Sequence, residues 1–188
     1  MTLAFVTGNR HKFEEAEKIA REHGIELEHR DVPYIEIQAD DLADVAKPSA
    51  QQASALLRAP SFVEDAGLFV RALGSFPGPY SSYVFKTLGN GGLLKLMRGE
   101  KDRQAEFRSA VGYCEPGKKP RVFEGKVVGA ISPRARGSGG FGFDPIFAPS
   151  EGDGRTFAEI STEEKNKLSH RARAIEKFLK WHVKVKKV

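Results

Sequence analysis

Glu64 and Asp65 follow the apolar run Ser61-Phe62-Val63 directly. Two adjacent carboxylates at the carboxyl end of a buried strand stand where open α/β sheets take their ligands. Oxygen donors without a His or Cys cluster suit a hard cation, Mg²⁺ or Mn²⁺, that keeps part of its water. Glu36 is a third candidate, far from the pair in sequence. The plainer alternative is a pair of solvated acids closing a strand. A second segment, Thr7-Gly8-Asn9-Arg10-His11-Lys12, joins an apolar run to a helix start. Free amides and the helix dipole there favour an anion, and Lys12 adds a mobile positive charge. The segment is not a Walker A loop, and an ordinary helix cap by Thr7 or Asn9 would also explain it.

Gly137-Ser138-Gly139-Gly140-Phe141-Gly142 matches the dinucleotide fingerprint Gly-x-Gly-x-x-Gly. Pro145 follows too closely for the helix that such a site needs, so a Rossmann site is excluded. What remains is a flexible loop with Phe141, Phe143 and Asp144, able to stack on a base and bond its edge, or simply to anchor itself in the core. Lys165 shares the apolar stripe of the last helix and should project into a cleft, unless it snorkels outward. His170 lies about 140° from Lys165 on an ideal helix. The helix must therefore break, or two different elements face these residues. His11, His23, His29 and His182 have no metal-ligand spacing.

The elements that would hold these groups are legible in outline. Leu3–Thr7 reads as a buried strand, Phe13 to Ala20 as a helix ending at His23-Gly24, and Ile25–Val32 as a second strand. Residues 41–57 are helical in pattern, with a break or kink expected at Pro48. Two short helices split by Gly89-Asn90-Gly91-Gly92 follow the loop 76–79. Gln104–Cys114 and Arg121–Ser132 form a long hairpin, and residues 134–144 a glycine-rich loop. Ser161 and Glu164 form a capping box for the last helix, whose stripe is Leu168, Ala172, Ile175 and Leu179. This order implies an α/β fold with a mixed, elongated sheet, in one domain spanning 1–188.

The 188 residues are 40% hydrophobic, which excludes disordered, collagenous and disulfide-scaffold classes. Cys114 is alone, so no internal disulfide or Cys-based zinc site forms. No apolar run is long enough for a membrane span, and no targeting segment is evident, so a cytoplasmic protein is expected. Lys180, Lys184, Lys186 and Lys187 account for most of the net charge of +5. The 180–188 run reads as a solvated basic tail, which argues against a nucleic-acid module. Such a module would use Lys184 to Lys187 and the 165–173 region, and would bind with steep salt dependence. Residues 1–60 are net acidic and the remainder net basic, which suits a cleft holding a polyanion through a cation.

Together these segments resemble the Ham1/inosine triphosphate pyrophosphatase family. The resemblance rests on Thr7-Gly8-Asn9 with Lys12, Glu36-Ile37-Gln38-Ala39, and Val63-Glu64-Asp65 with Gly67-Leu68. It continues through Phe76-Pro77-Gly78-Pro79-Tyr80-Ser81, Gly140 to Pro145, Ala158-Glu159, Glu164-Lys165-Asn166 and Ser169-His170-Arg171, in the family's order. It implies a two-lobed fold with a central cleft, a homodimer, and Mg²⁺-dependent cleavage of purine nucleoside triphosphates, inosine and xanthosine types above all, to monophosphate and pyrophosphate. Thr7, Gly8, Asn9, Arg10, His11 and Lys12 would hold the triphosphate. Glu36 and Asp65, with Glu64 as an alternative, would bind the metal, and Asp65 would accept the proton. Phe141, Gly142, Phe143, Asp144, Lys165, His170 and Arg171 would contact the nucleotide, with Lys47 a further candidate. Ala66 stands beside the acidic pair where many members have Ser or Thr, removing a hydroxyl contact. Ser81-Ser82-Tyr83 replaces a basic residue found there in some members.

Overall fold

A computed structural model describes residues 2–186, apart from the side chain of Lys186. The elements in chain order are β1 (Thr2–Val6), α1 (Arg10–Glu22), β2 (Glu26–Arg30), α2 (Leu42–Leu57), β3 (Ser61–Val70), β4 (Pro77–Gly78), α3 (Ser81–Thr87), α4 (Gly89–Leu96), β5 (Gln104–Cys114), β6 (Arg121–Ile131), β7 (Phe147–Pro149), α5 (Thr162–Leu168) and α6 (His170–Lys186). The strands form one mixed sheet in the order β2-β1-β3-β5-β6-β7, with the short β4 also on β3. β1 is parallel to β2 and β3; the long β3, β5 and β6 are antiparallel.

The register of β3 determines where the site can be. β1 pairs with it only at Ser61 and Phe62, and β4 only at Leu68 and Phe69. Between them, from Val63 to Gly67, that edge of β3 has no strand partner. The opposite edge pairs continuously with β5 over all ten residues. The acidic pair therefore sits in mid-strand rather than closing one, which corrects the expectation from sequence. Apolarity stops at Val63 because β1 stops there, not because β3 does.

Two hydrophobic clusters share the face of the sheet covered by α1 and α6. One gathers Phe5, Phe62, Val111, Ile175 and Phe178; the other gathers Leu68, Val70, Phe107, Phe147 and Phe157. They are two separate cores along one sheet. α2 covers the other face, packing on β3 and β5. It is continuous through Pro48, contrary to the expected break. Leu42, Val45, Ala46, Ala50 and Ala53 are buried on one side of it. That shared contact surface holds both halves in line and offsets the roughly 3 kcal/mol cost of a helical proline.

The glycine run 89–92 also departs from expectation, lying inside α4, whose Leu93 is buried in the second core. The last helix does break. Ser161 and Glu164 form the capping box of α5, and Ser169 then adopts an extended conformation (φ −73°, ψ 152°). Its Oγ accepts from the Ala172 amide at 3.1 Å and so starts α6. The basic run is no separate tail as far as it is described: α6 extends through Lys186, and Lys187 and Val188 lie outside the described residues. Among the described residues no helix is long and apolar enough to cross a membrane.

Candidate active site

The pleat of β3 sends neighbouring side chains to opposite faces. Glu64 points toward α1 and α6, into the seam between the two cores. Asp65 lies with Ala110 on the α2 face, where Ala110 packs on Leu42 and Ala46. The two acids thus do different work.

Glu64 is fully enclosed. Its Oε1 accepts from Ser109 Oγ at 2.5 Å and lies 3.2 Å from Arg171 Nε, while Oε2 is 3.0 Å from Lys12 Nζ. Burial alone would raise its pKa, but Arg171, Lys12 and the Ser109 hydroxyl hold it well below the usual carboxylate range. Glu64 thus has Ser109 and Arg171 on one oxygen and the Lys12 ammonium on the other, and its side chain is shielded from solvent.

The network continues into α1 and α5. Glu15 bonds Arg171 through Oε2 and Lys165 Nζ through Oε1 at 2.6 Å; Lys165 also meets Asp144 Oδ2 at 2.6 Å. Burial raises the pKa of Asp144 despite Lys165. For Glu15, Arg171 and Lys165 overcome the burial effect and lower it. Three carboxylates and three cations thus bridge the polar belt between the cores. Sequence reading missed Glu15. Its signal was present, since it precedes Ile19 by one helical turn on the buried face of α1.

His170 is buried, its ring stacked on Phe107 at 4.7 Å with planes 10° apart. Burial, then Arg171, push its pKa well below the ordinary value, so it is neutral at pH 7. Its Nδ1 is itself buried and has no hydrogen-bond partner among the described residues, an unmet polar group in the interior. Phe141, half-buried, lies over both cations, with Lys165 Nζ 4.8 Å and Arg171 Cζ 5.3 Å from its ring centroid. Its amide donates to Asp144 Oδ2 at 2.8 Å. Gly140 beside it has φ +65°, and a Cβ there would overlap the Asp144 carboxylate, so the residue must be glycine. Phe143 is not available to a ligand: it is buried in the second core edge-on to Phe85, the anchoring role. The Gly142 carbonyl accepts from Asn90 Nδ2 at 3.1 Å.

At the open edge of β3, Lys12 Nζ donates to the Glu64 carbonyl at 2.9 Å while staying partly exposed. Asn9 caps α1, its Oδ1 accepting from the amides of His11 and Lys12 at 3.0 and 3.2 Å. Thr7 Oγ1 accepts from the Asn9 amide at 3.1 Å. The cap is therefore real, and it removes two amides from any anion. Gly8 is exposed at the turn. Arg10 pairs with Glu14 at 3.2 Å and Lys47 with Asp44 at 3.0 Å, both out in solvent and outside the network.

Asp65 is half-buried, its Oδ1 accepting from the Ala66 amide at 2.9 Å. Burial raises its pKa, Lys12 pulls it back, and Glu36 and Glu64 push it up again, leaving it at about 7. Glu36 is exposed on an irregular segment, yet its charge bears on Asp65 and on Tyr34, whose hydroxyl burial and these acids raise well above its usual range. Gln52 of α2 holds that segment. Its Oε1 accepts from the Ile35 amide at 3.1 Å, and its Nε2 donates to the Ile35 carbonyl at 2.9 Å. Sequence reading missed Gln52, which carries no chemical signature of its own. Among the described residues no three His, Cys, Asp or Glu side chains form a preformed metal cage.

Comparison with known proteins gives a consistent result. A model of the Ham1 family matches residues 3–181. A dITP/XTP pyrophosphatase of Methanothermobacter marburgensis is 55% identical over 182 residues, covering 97% of this chain and 96% of the relative. One of Thermococcus kodakarensis is 51% identical over 181 residues, covering 96% and 97%. The structure of a HAM1 protein from Coxiella burnetii superposes with a TM-score of 0.86 at 28% identity, covering 98% of this chain and 99% of that one.

Proposed function

The chain belongs to the Ham1 family, and from that premise and the cleft just described we propose that it is a nucleoside triphosphate pyrophosphohydrolase for deaminated purine nucleotides. Its substrates are dITP, ITP and XTP, its products a monophosphate and pyrophosphate, and its place is the cytoplasmic nucleotide pool. The observation that carries this reading is that Lys12 acts on both acids at the open edge of β3. It bonds Glu64 and its charge lowers the pKa of Asp65, which supports a phosphate-binding cation acting beside the proton acceptor.

Asp65 and Glu36 are the residues that would hold Mg²⁺. A carboxyl kept half-protonated at neutrality by burial and then by neighbouring acids is one that a divalent cation readily ionises. Mg²⁺ at such a site would be carried by one or two carboxylates, water and the substrate's own phosphates. When bound, it supplies charge neutralisation and Lewis acidity at the phosphates. Asp65 accepts the proton of the water attacking the α-phosphorus. Lys12, partly exposed and bonded only through Glu64, is the cation best placed to exchange that contact for the phosphate chain. Lys165 and Arg171, which charge-counting from sequence would assign to the phosphates, are already neutralised by Glu15, Asp144 and Glu64. Their work is to hold the base pocket.

Discrimination follows from His170. A neutral imidazole, whose buried Nδ1 has no partner among the described residues, would donate to the 6-oxo group of inosine or xanthosine once a base displaces the atoms that cover it. Adenine presents a 6-amino donor instead, leaving the buried group unpaired at a cost of about 1–3 kcal/mol. The test is pyrophosphate release from ITP, dITP, XTP, ATP and GTP, with and without Mg²⁺. Equal rates with ATP, or full activity in chelator, would refute the reading. We take the working form to be a homodimer. Phe76, Tyr80, Tyr83, Phe85 and Leu88 are all exposed within one short segment, an apolar surface suited to burial against a second copy.

Gln52→Leu removes both bonds to Ile35 without touching substrate. The expected result is a several-fold rise in the Mg²⁺ concentration for half-maximal activity, with the KM for ITP at saturating Mg²⁺ little changed. An unchanged Mg²⁺ dependence would show that the segment carrying Glu36 needs no such clasp.

A further inference from the structure

His11, in the first turn of α1, stacks on Phe141 of the glycine-rich loop, with centroids 5.3 Å apart and planes 15° from parallel. The His11 backbone cannot serve a phosphate, because Asn9 Oδ1 already holds its amide at 3.0 Å. Its side chain is 63% exposed, and its Nδ1 lies 3.9 Å from Glu14 Oε2, too far for a hydrogen bond. What His11 offers the cleft is therefore a flat face. Phe141 lies over Lys165 and Arg171, beside the base-reading wall that ends in His170. A nucleotide with its phosphates at Lys12 and its base at that wall spans the line on which these rings meet.

Resting on the nucleotide reading above, we propose that His11 is the second wall of the purine slot, and that the base enters between His11 and Phe141. In this structure the slot is collapsed, ring on ring. Admitting a base requires about 7 Å between the two planes, two van der Waals contacts of about 3.5 Å each. Phe141 has the means to yield: Gly140 and Gly142 flank it, both at positive φ, while Asp144 holds only its amide. The closed pair covers the slot's apolar faces until a base replaces that contact with two stacks of its own. Because every purine has a π-face, this wall sets affinity for the base and leaves the choice among bases to the polar groups.

The test separates ring from charge. The expected result for His11→Ala is a KM for ITP and for XTP raised by a common factor of about 5- to 100-fold, with the loss falling on KM rather than kcat. Inhibition by inorganic tripolyphosphate, a phosphate chain without a base, should be unchanged. His11→Phe should restore the KM and His11→Lys should not. Matching losses of ITP and tripolyphosphate affinity, or rescue by Lys but not Phe, would overturn the proposal by making His11 a phosphate contact. An unchanged KM in His11→Ala would overturn it outright. Wild-type protein that neither hydrolyses nor binds ITP would instead bring down the nucleotide reading, and this inference with it; that is read first.

Discussion

Asp65→Asn is expected to abolish pyrophosphate release, by about a thousandfold or more, while leaving the protein at least as stable as wild type. The first half follows from the loss of the proton acceptor, worth about 10²- to 10⁴-fold, together with a carboxylate that would hold the cation. The second half follows from the sign of the pKa shift. Asp65 is raised from 3.8 to about 7 in the folded protein, so folding favours its neutral form. Wild type carries no penalty below about pH 4, loses stability as pH climbs from there to about 7, and keeps the full penalty above. Asn is neutral throughout. The stability difference in favour of the variant should therefore grow across that window and then level off. On a half-buried side chain it should reach no more than roughly 2 kcal/mol, since solvent screens part of the effect. Urea denaturation at pH 5 and pH 8, without divalent cation, reads this directly. A folded variant that turns over like wild type would remove Asp65 from the chemistry. A variant less stable at pH 8 would mean that the ionised carboxylate is favoured after all.

The same shift governs the acid limb of the rate. In low Mg²⁺, kcat/KM should rise with pH through about 7, and saturating Mg²⁺ should move the limb to lower pH because the cation favours the ionised form.

Glu15→Ala has the largest expected effect on stability. It leaves Arg171 with Glu64 alone and Lys165 with Asp144 alone, each cation buried and half-satisfied. Breaking a buried pair by removing one partner costs about 3–5 kcal/mol. For a chain of this size that corresponds to a fall in Tm of very roughly 6–20 °C. Because the pKa of Glu15 is lowered in the fold, its contribution is complete above its unfolded value of 4.5 and is lost as pH falls below that point. The deficit of the variant should therefore shrink in acid. Catalysis should also fail, since the same pairs fix Lys165 and Arg171 beneath Phe141. Glu15→Gln keeps the shape and isolates the charge. A deficit under 1 kcal/mol in Glu15→Ala would mean that water enters the seam and replaces the carboxylate.

The parts of the molecule that rest on local rules were readable in the chain. Alternation along Gln104–Cys114, the capping box at Ser161, and the angle between Lys165 and His170 each encode geometry within a few residues; that angle leaves a break as one of two alternatives, and the structure locates it at Ser169. The failures are long-range. Pro48 signals a break, but the sheet beneath α2 overrides it. Glu64 and Asp65 look like a pair until the pleat separates them. Phe143 and Phe141 are the same residue type two positions apart, and only the second core decides that one is buried and the other half-open. Lys47 resembles a cleft lysine, yet α2 presents it to water. Glu15 was visible as an acid on an apolar face and should have been read as a buried partner for the two cations.

β1 ends five residues before β4 begins, measured along β3. Had β1 run on to meet β4, its backbone would zip that gap shut and leave one unbroken slab with no mouth. The opening proposed for the substrate is thus a missing stretch of ladder rather than an added loop. Where one short strand stops therefore decides how much of the β3 edge stays free.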